Sequence, residues 1–147
     1  MSKSKQLVKF FVGVKGLIVQ DDKLLLLKKS ERDYIEQSFW DLPGGRIDDQ
    51  ENPQKTLQRE LKEELIGIKQ IKVGDLVWAY RVPYKVEKDS NLFLIYYLVE
   101  ADVSQTKLSP EHVEKKWVGV EQFDQLNAPV NANFKGLLRN ILKNKSD

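Results

Sequence analysis

The sequence predicts a mixed α/β fold of the α+β kind, one mixed sheet covered by helices, and three observations carry that expectation. Apolar residues alternate at period two near the start of the chain and return in two strand-like runs after position 70. Short turns join such runs, without a regular strand–helix alternation. Two stretches, beginning near Pro53 and Asn133, place their apolar residues at helical spacing instead. At 147 residues the chain suits a single domain over positions 1–147, and no repeat, low-complexity stretch or Pro/Gly/Ser linker divides it.

Leu7–Gln20 carries Val8, Phe10, Val12 and Val14 at period two, then Leu17, Ile18 and Val19, and reads as a strand. Asp21-Asp22-Lys23 turns it into Leu24–Lys28, which makes a hairpin. Lys29–Ser38 is polar and irregular, and Phe39–Ile47 is punctuated by glycine and proline. Pro53–Ile66 is the clearest helix. Strands are expected over Ile71–Val82 and Leu92–Ala101, separated by a polar connection from Pro83 to Asn91. The loop Asp102–Lys115 leads to a short strand at Lys116–Val120, and a helix is expected to begin near Glu121. A last helix over Asn133–Lys143 puts Phe134, Leu137, Leu138, Ile141 and Leu142 on one face.

Composition narrows the chemistry. With no cysteine there is no disulfide scaffold, thiolate metal site or cysteine nucleophile. A single histidine, His112, argues against zinc, and it reads as a surface loop residue. The 24 basic and 22 acidic residues are mixed along the chain for a net charge of +2, so no strong nucleic-acid signal is present. No apolar run reaches the ~18 residues of a membrane span and no signal-peptide pattern is visible, so the expected compartment is the cytoplasm.

The Pro53 helix concentrates the acidic residues. Asn52 can cap its free amides, proline suits its first position, and Glu51 suits its positive end. At about 100° per residue, Leu57, Leu61, Leu65 and Ile68 form a core stripe, while Glu60, Glu63 and Glu64 share a neighbouring arc bordered by Arg59. Lys55, Gln58 and Lys62 take the far side. Glu60 and Glu64 are a like-charge i,i+4 pair that costs ~0.2–0.5 kcal/mol even when exposed, and more beside a buried stripe. Arg59 can pair with Glu63, and a hard divalent cation would neutralise what remains. Clustered carboxylates with backbone carbonyls are the oxygen ligands that Mg²⁺ prefers.

From Gly45 the spacing is five residues to Glu51, then seven to Arg59-Glu60-Leu61-Lys62-Glu63-Glu64. This resembles the Nudix box, G-x₅-E-x₇-R-E-U-x-E-E-x-G-U, and Trp40-Asp41-Leu42-Pro43-Gly44-Gly45 resembles the family's lead-in. One position departs: Ile66 stands where the family has glycine, and Gly67 follows, which suggests a helix one residue longer with Gly67 as its left-handed cap.

The resemblance implies a Nudix-type α/β/α sandwich and hydrolysis of a nucleoside diphosphate linked to another group, with Mg²⁺, or Mn²⁺ in its place, as cofactor. Glu60, Glu63, Glu64 and the Gly45 carbonyl match the family's metal positions, Arg59 would orient the glutamates, and Glu51 would brace Arg59 or the turn. Family members take their general base from the box or from a later acidic loop; here that loop, Ser109–Glu114, offers Glu111 and Glu114. Trp78, Tyr80 and Tyr84 with Arg81 are candidates for a stacking and phosphate-binding wall, and Lys28, Lys29 and Arg32 for phosphate contacts. An (oxidised) dNTP or NTP heads the expected small-molecule substrates, with ADP-ribose, towards which Pro83 hints, and dinucleoside polyphosphates as alternatives. The protein would be a monomer or homodimer. The isomerase branch of the superfamily uses a cysteine that this chain lacks. A non-catalytic nucleotide sensor would be expected to have lost box carboxylates that are all present here.

Overall fold

The computed structural model describes residues 6–29, 40–83, 85–86, 89–125 and 132–145. In chain order these form β1 (Phe10–Gln20), β2 (Lys23–Lys29), β3 (Trp40–Asp41), β4 (Gly44–Arg46), α1 (Pro53–Glu64), β5 (Leu65–Ile66), β6 (Lys69–Arg81), β7 (Asn91–Asp102), β8 (Lys107–Leu108), β9 (His112–Val118), a 3₁₀ segment (Val120–Gln125) and α2 (Ala132–Lys145).

The first hairpin is the expected one. Asp21 and Asp22 take φ of 51° and 62°, the left-handed pair that a two-residue type I′ turn needs. The hairpin then opens. β1 and β2 pair only at Val19–Leu24 and Gln20–Lys23, after which β3 lies along β2 and β4 along β1. Residues 40–46 are thereby wedged between the two arms. On its other edge β1 runs parallel to β7 from Phe10–Asn91 to Ile18–Val99. β6 pairs antiparallel outside β7, and β9 outside β2.

Period-two alternation sorts the leucines of β2 to opposite faces. Leu24 and Leu26 join Leu17, Tyr96, Leu138 and Ile141 on the side covered by α2. Leu25 and Leu27 join Val14, Ile18 and the α1 stripe of Leu57, Leu61 and Leu65 on the other. Leu57 and Leu61 of α1, and Leu65 just past its end, have no exposed surface, and each burial stabilises the helix-on-sheet packing by about 2 kcal/mol. A mixed sheet between two helices is the sandwich that the sequence implied.

Several boundaries move. β1 begins at Phe10 instead of Leu7, β6 starts earlier and ends one residue short of Val82 at Lys69–Arg81, β7 is extended to Asn91–Asp102, and the last helix to Ala132–Lys145. The helix expected near Glu121 is the 3₁₀ segment from Val120. The Pro53 helix ends at Glu64, not at Ile66, because Leu65 and Ile66 leave it to pair with Leu108 and Lys107. Gly67 therefore caps no helix. It turns β5 towards β6 at φ 99°, and a Cβ there would press on the Gln105 carbonyl at 2.7 Å. Among the described residues, no helix is long and apolar enough to cross a membrane.

Candidate active site

The start of α1 forms as the residues require. Asn52, at φ −90° and ψ 163°, accepts the Lys55 N–H on its Oδ1 at 3.0 Å, and Pro53 follows at the first helical position. Glu51, just ahead of the cap, is tied in from three directions. Its Oε1 accepts from the Asp48 N–H at 3.1 Å and the Thr56 hydroxyl at 3.0 Å. Arg59 closes a two-pronged pair on it, Nε to Oε2 at 2.8 Å and Nη2 to Oε1 at 2.9 Å. The same guanidinium reaches Glu60 Oε1 at 3.0 Å and Glu63 Oε1 at 3.4 Å through Nη1. Glu51 is thus the main partner of Arg59, and the expected i,i+4 bond to Glu63 is the longer contact.

The hydrogen bond from Arg59, with smaller help from Asp48 and Thr56, holds the Glu51 carboxyl down at about 2. Arg59 is correspondingly pushed above its usual range, first by that bond. A carboxylate with a depressed folded-state pKa contributes stability above its unfolded value, and the contribution disappears as pH falls through the folded one. The window here runs from about 4.5 down to about 2. Thermal melts of wild type and Glu51→Gln should therefore differ most near neutral pH and converge as the pH is lowered through that window. A gap that stays constant with pH would contradict the linkage.

Glu60 and Glu64 meet the glycine turn from below. The Gly44 N–H donates to Glu64 Oε1 at 2.7 Å. A Cβ at Gly45 would run into the Glu60 carboxyl group, so this close approach depends on glycine, and a larger residue would push that flexible carboxylate aside. The environments of the three glutamates differ. Glu64 is 5% exposed, Glu60 is half-buried, and the Glu63 side chain is open to solvent. Burial pushes the Glu60 carboxyl up, Arg59 pulls it down, and the charges of Glu63 and Glu111 raise it further. The exposed Glu111 therefore stands within electrostatic reach of Glu60, whereas Glu114 sits on β9 opposite Lys28.

His112 overturns one expectation. It is buried at 6% exposure, not on the surface, with Nε2 3.3 Å from Glu64 Oε2. The cause is that β9 begins at His112, four residues before the expected strand, and pairs with Lys29. The Ser109 N–H meanwhile donates to the Glu64 carbonyl, docking this segment on the end of α1. Sequence reasoning also missed Lys15 and Asp41. The Lys15 Nζ donates to Asp41 Oδ2 at 2.9 Å with both side chains largely buried, and Asp41 Oδ1 accepts from the Leu42 N–H. That pair pins the lead-in to the glycine turn. A lysine interrupting an alternating apolar strand was the available signal.

The expected aromatic wall is split between the two faces. Trp78 and Tyr80 stack with ring centroids 5.1 Å apart on the α2 side. Arg81, one residue on, turns to the opposite face and lies 5.2 Å over the Phe10 ring. The wall's third aromatic, Tyr84, and the phosphate candidate Arg32 lie outside the described residues.

The candidate ligands are all oxygens, three carboxylates and a glycine carbonyl, a set suited to Mg²⁺ or Mn²⁺ and poorly suited to zinc. Among the described residues no three acidic or histidine side chains are already gathered round one point. Glu60 is held by Arg59 and Glu64 by Gly44, while Glu63, largely exposed, meets Arg59 only through the longer 3.4 Å contact. The set fits a hard cation in chemistry.

The structure thus joins a mixed sheet between two helices to a double-glycine turn seated on an acidic helix. The chain belongs to the NUDIX domain family, whose model matches residues 9–140. It is 37% identical over 79 residues to an 8-oxo-dGTP diphosphatase of Proteus vulgaris, a match covering 53% of this chain and 60% of that protein. The chain thus spans less than two thirds of that relative's length. Its fold is similar to a MutT protein from Methanosarcina mazei Go1, with TM-score 0.73, 24% identity and coverage of 97% and 99% of the two chains. It is also similar to a MutT NUDIX hydrolase from Burkholderia pseudomallei, with TM-score 0.69, 25% identity and coverage of 89% and 97%.

Proposed function

We propose that this chain is a Mg²⁺-dependent pyrophosphohydrolase that cleaves a diphosphate linkage in a nucleoside diphosphate-linked substrate. The observation that carries the proposal is the joining of turn and helix: Gly44 grips Glu64, and Gly45 admits Glu60 against its backbone. Glu60, Glu63, Glu64 and the Gly45 carbonyl would hold the cation. A cation so held supplies charge neutralisation at the phosphates and a more acidic attacking water.

The remaining work falls to the chain's own groups. Arg59, clamped by Glu51, fixes the orientation of Glu60. Glu111 would take the proton from the attacking water; its exposure and its electrostatic reach to Glu60 support that role. The water oxygen bonds to phosphorus, the bridging P–O bond breaks, and the leaving phosphate departs with that electron pair. Strand register supports a path for the substrate. Trp78, Tyr96, Lys15 and Gly44 stand in one row across four strands, with Tyr80, Leu94, Gly13 and Arg46 in the next. A base stacked by Trp78 and Tyr80 on that face would direct its phosphates towards the glycine turn. An (oxidised) deoxynucleoside triphosphate is the favoured substrate, in keeping with the Proteus relative's name.

The test is hydrolysis of dNTPs, 8-oxo-dGTP, ADP-ribose and dinucleoside polyphosphates with products resolved. Turnover should require Mg²⁺ or Mn²⁺, disappear with EDTA and return on adding metal back. Chelator-resistant turnover would remove the cation from the reaction.

A further inference from the structure

At the far edge of the sheet, on the face opposite Tyr80, lies a cleft of about 400 Å³ lined by Arg81, Val82, Pro83, Lys85 and Asn91. Its floor is the side chain of Asn91, which is 8% exposed. The Asn91 Nδ2 donates to the Lys9 carbonyl at 3.4 Å, which fixes the amide and turns Oδ1 into the cleft. Two cations converge on that single oxygen, Lys85 Nζ at 3.0 Å and Arg81 Nη2 at 3.3 Å. The two charged groups consequently lie within roughly 6 Å of each other, a separation at which like charges repel appreciably near a protein surface. Neither makes an ion pair with a carboxylate among the described residues. Arg81 is further steadied by the Phe10 ring beneath it, and Phe10 meets Phe93 edge to face at 6.4 Å.

We infer that the Arg81–Lys85–Asn91 cleft is a second anion site, built for a phosphate-type oxyanion. Two positive charges sharing one neutral acceptor match a doubly charged ligand. The guanidinium fork can meet two of its oxygens while the ammonium meets a third. A carboxylate would offer only two oxygens and one charge. The cleft is separate from the acidic helix. Arg81 and Gly45 lie three strand spacings apart across β4, β1, β7 and β6, which puts them on the order of 15 Å apart. Binding here needs neither the cation nor the reaction proposed above.

The experiment is an NMR titration of the ¹⁵N-labelled full chain with inorganic phosphate. EDTA is present throughout to silence cation-dependent phosphate binding, and ionic strength is held constant with sodium chloride. Saturable shifts are expected at Val82, Lys85 and Asn91, including the Asn91 side-chain amide. The R81Q/K85Q double variant should weaken binding about tenfold or more, and R81K should restore part of it. Should the double variant lose its dispersed spectrum, K85Q alone carries the test, because Lys85 is exposed. A parallel titration with adenosine 5′-monophosphate separates two sources of the same chemistry. Added shifts at Phe10 and Phe93 mark an esterified phosphate whose base rests on those rings, and shifts equal to those of inorganic phosphate mark the free ion. Equal shifts with chloride alone, shifts confined to the glycine turn and α1, or unchanged affinity in the variants would overturn the proposal.

Discussion

Glu64→Gln should lower kcat by about 10²–10³-fold with the fold intact, the loss expected when several kcal/mol of charge stabilisation leave the reacting phosphates. The substitution isolates charge from shape. Glutamine has the same outline in a site that is 5% exposed, and its amide oxygen can still accept the Gly44 N–H that Glu64 accepts at 2.7 Å. The lost feature is the negative charge. A melt within a few degrees of wild type, together with the collapse of kcat at saturating Mg²⁺, is the expected pair of results. Turnover near wild type on a good substrate would take Glu64 out of the reaction.

Gly44→Ala should lower stability by about 3 kcal/mol or more, a fall of roughly 10 °C in melting temperature for a chain of this size. Gly44 sits at φ 153°, and a Cβ would be driven into the Val14 carbonyl of the neighbouring strand. Relief requires moving the turn, which carries the Gly44 N–H away from Glu64. Activity measured well below the melting temperature should consequently fall further than the unfolded fraction explains. Gly136→Ala is the control. A Cβ there meets nothing within 4 Å, and alanine within α2 should stabilise by about 0.5–1 kcal/mol. If both variants melt alike, the strain assigned to Gly44 is absent.

Local rules made much of this molecule legible. The cap at Asn52, the leucine stripe of α1 and the Asp21–Asp22 turn are each set by a few adjacent residues, and each appears as expected. The features that escaped depend on partners distant in the chain. α1 stops at Glu64 because Leu108, more than forty residues on, offers Leu65 a strand to pair with. His112 is buried because β9 starts early along β2 and docks beside Glu64, which no spacing within the loop reveals. Tyr80 and Arg81 part company through the two-residue period of the strand alone, so that separation was readable. Treating them as one wall passed over the alternation.

The parallel pairing of β1 with β7 has a consequence for how this molecule comes into being. Phe10 finds Asn91, and the ladder continues for nine registered pairs, so the chain must close a loop of about eighty residues before that ladder gains anything. Such long-range pairing forms slowly compared with a helix or a tight hairpin. β4 lies on the other edge of β1, and the glycine turn takes its position from that strand. Helix α1 can acquire its turns early in refolding while the glutamates still lack the backbone they act against. Recovery of turnover after dilution from denaturant should accordingly lag behind the return of helical signal.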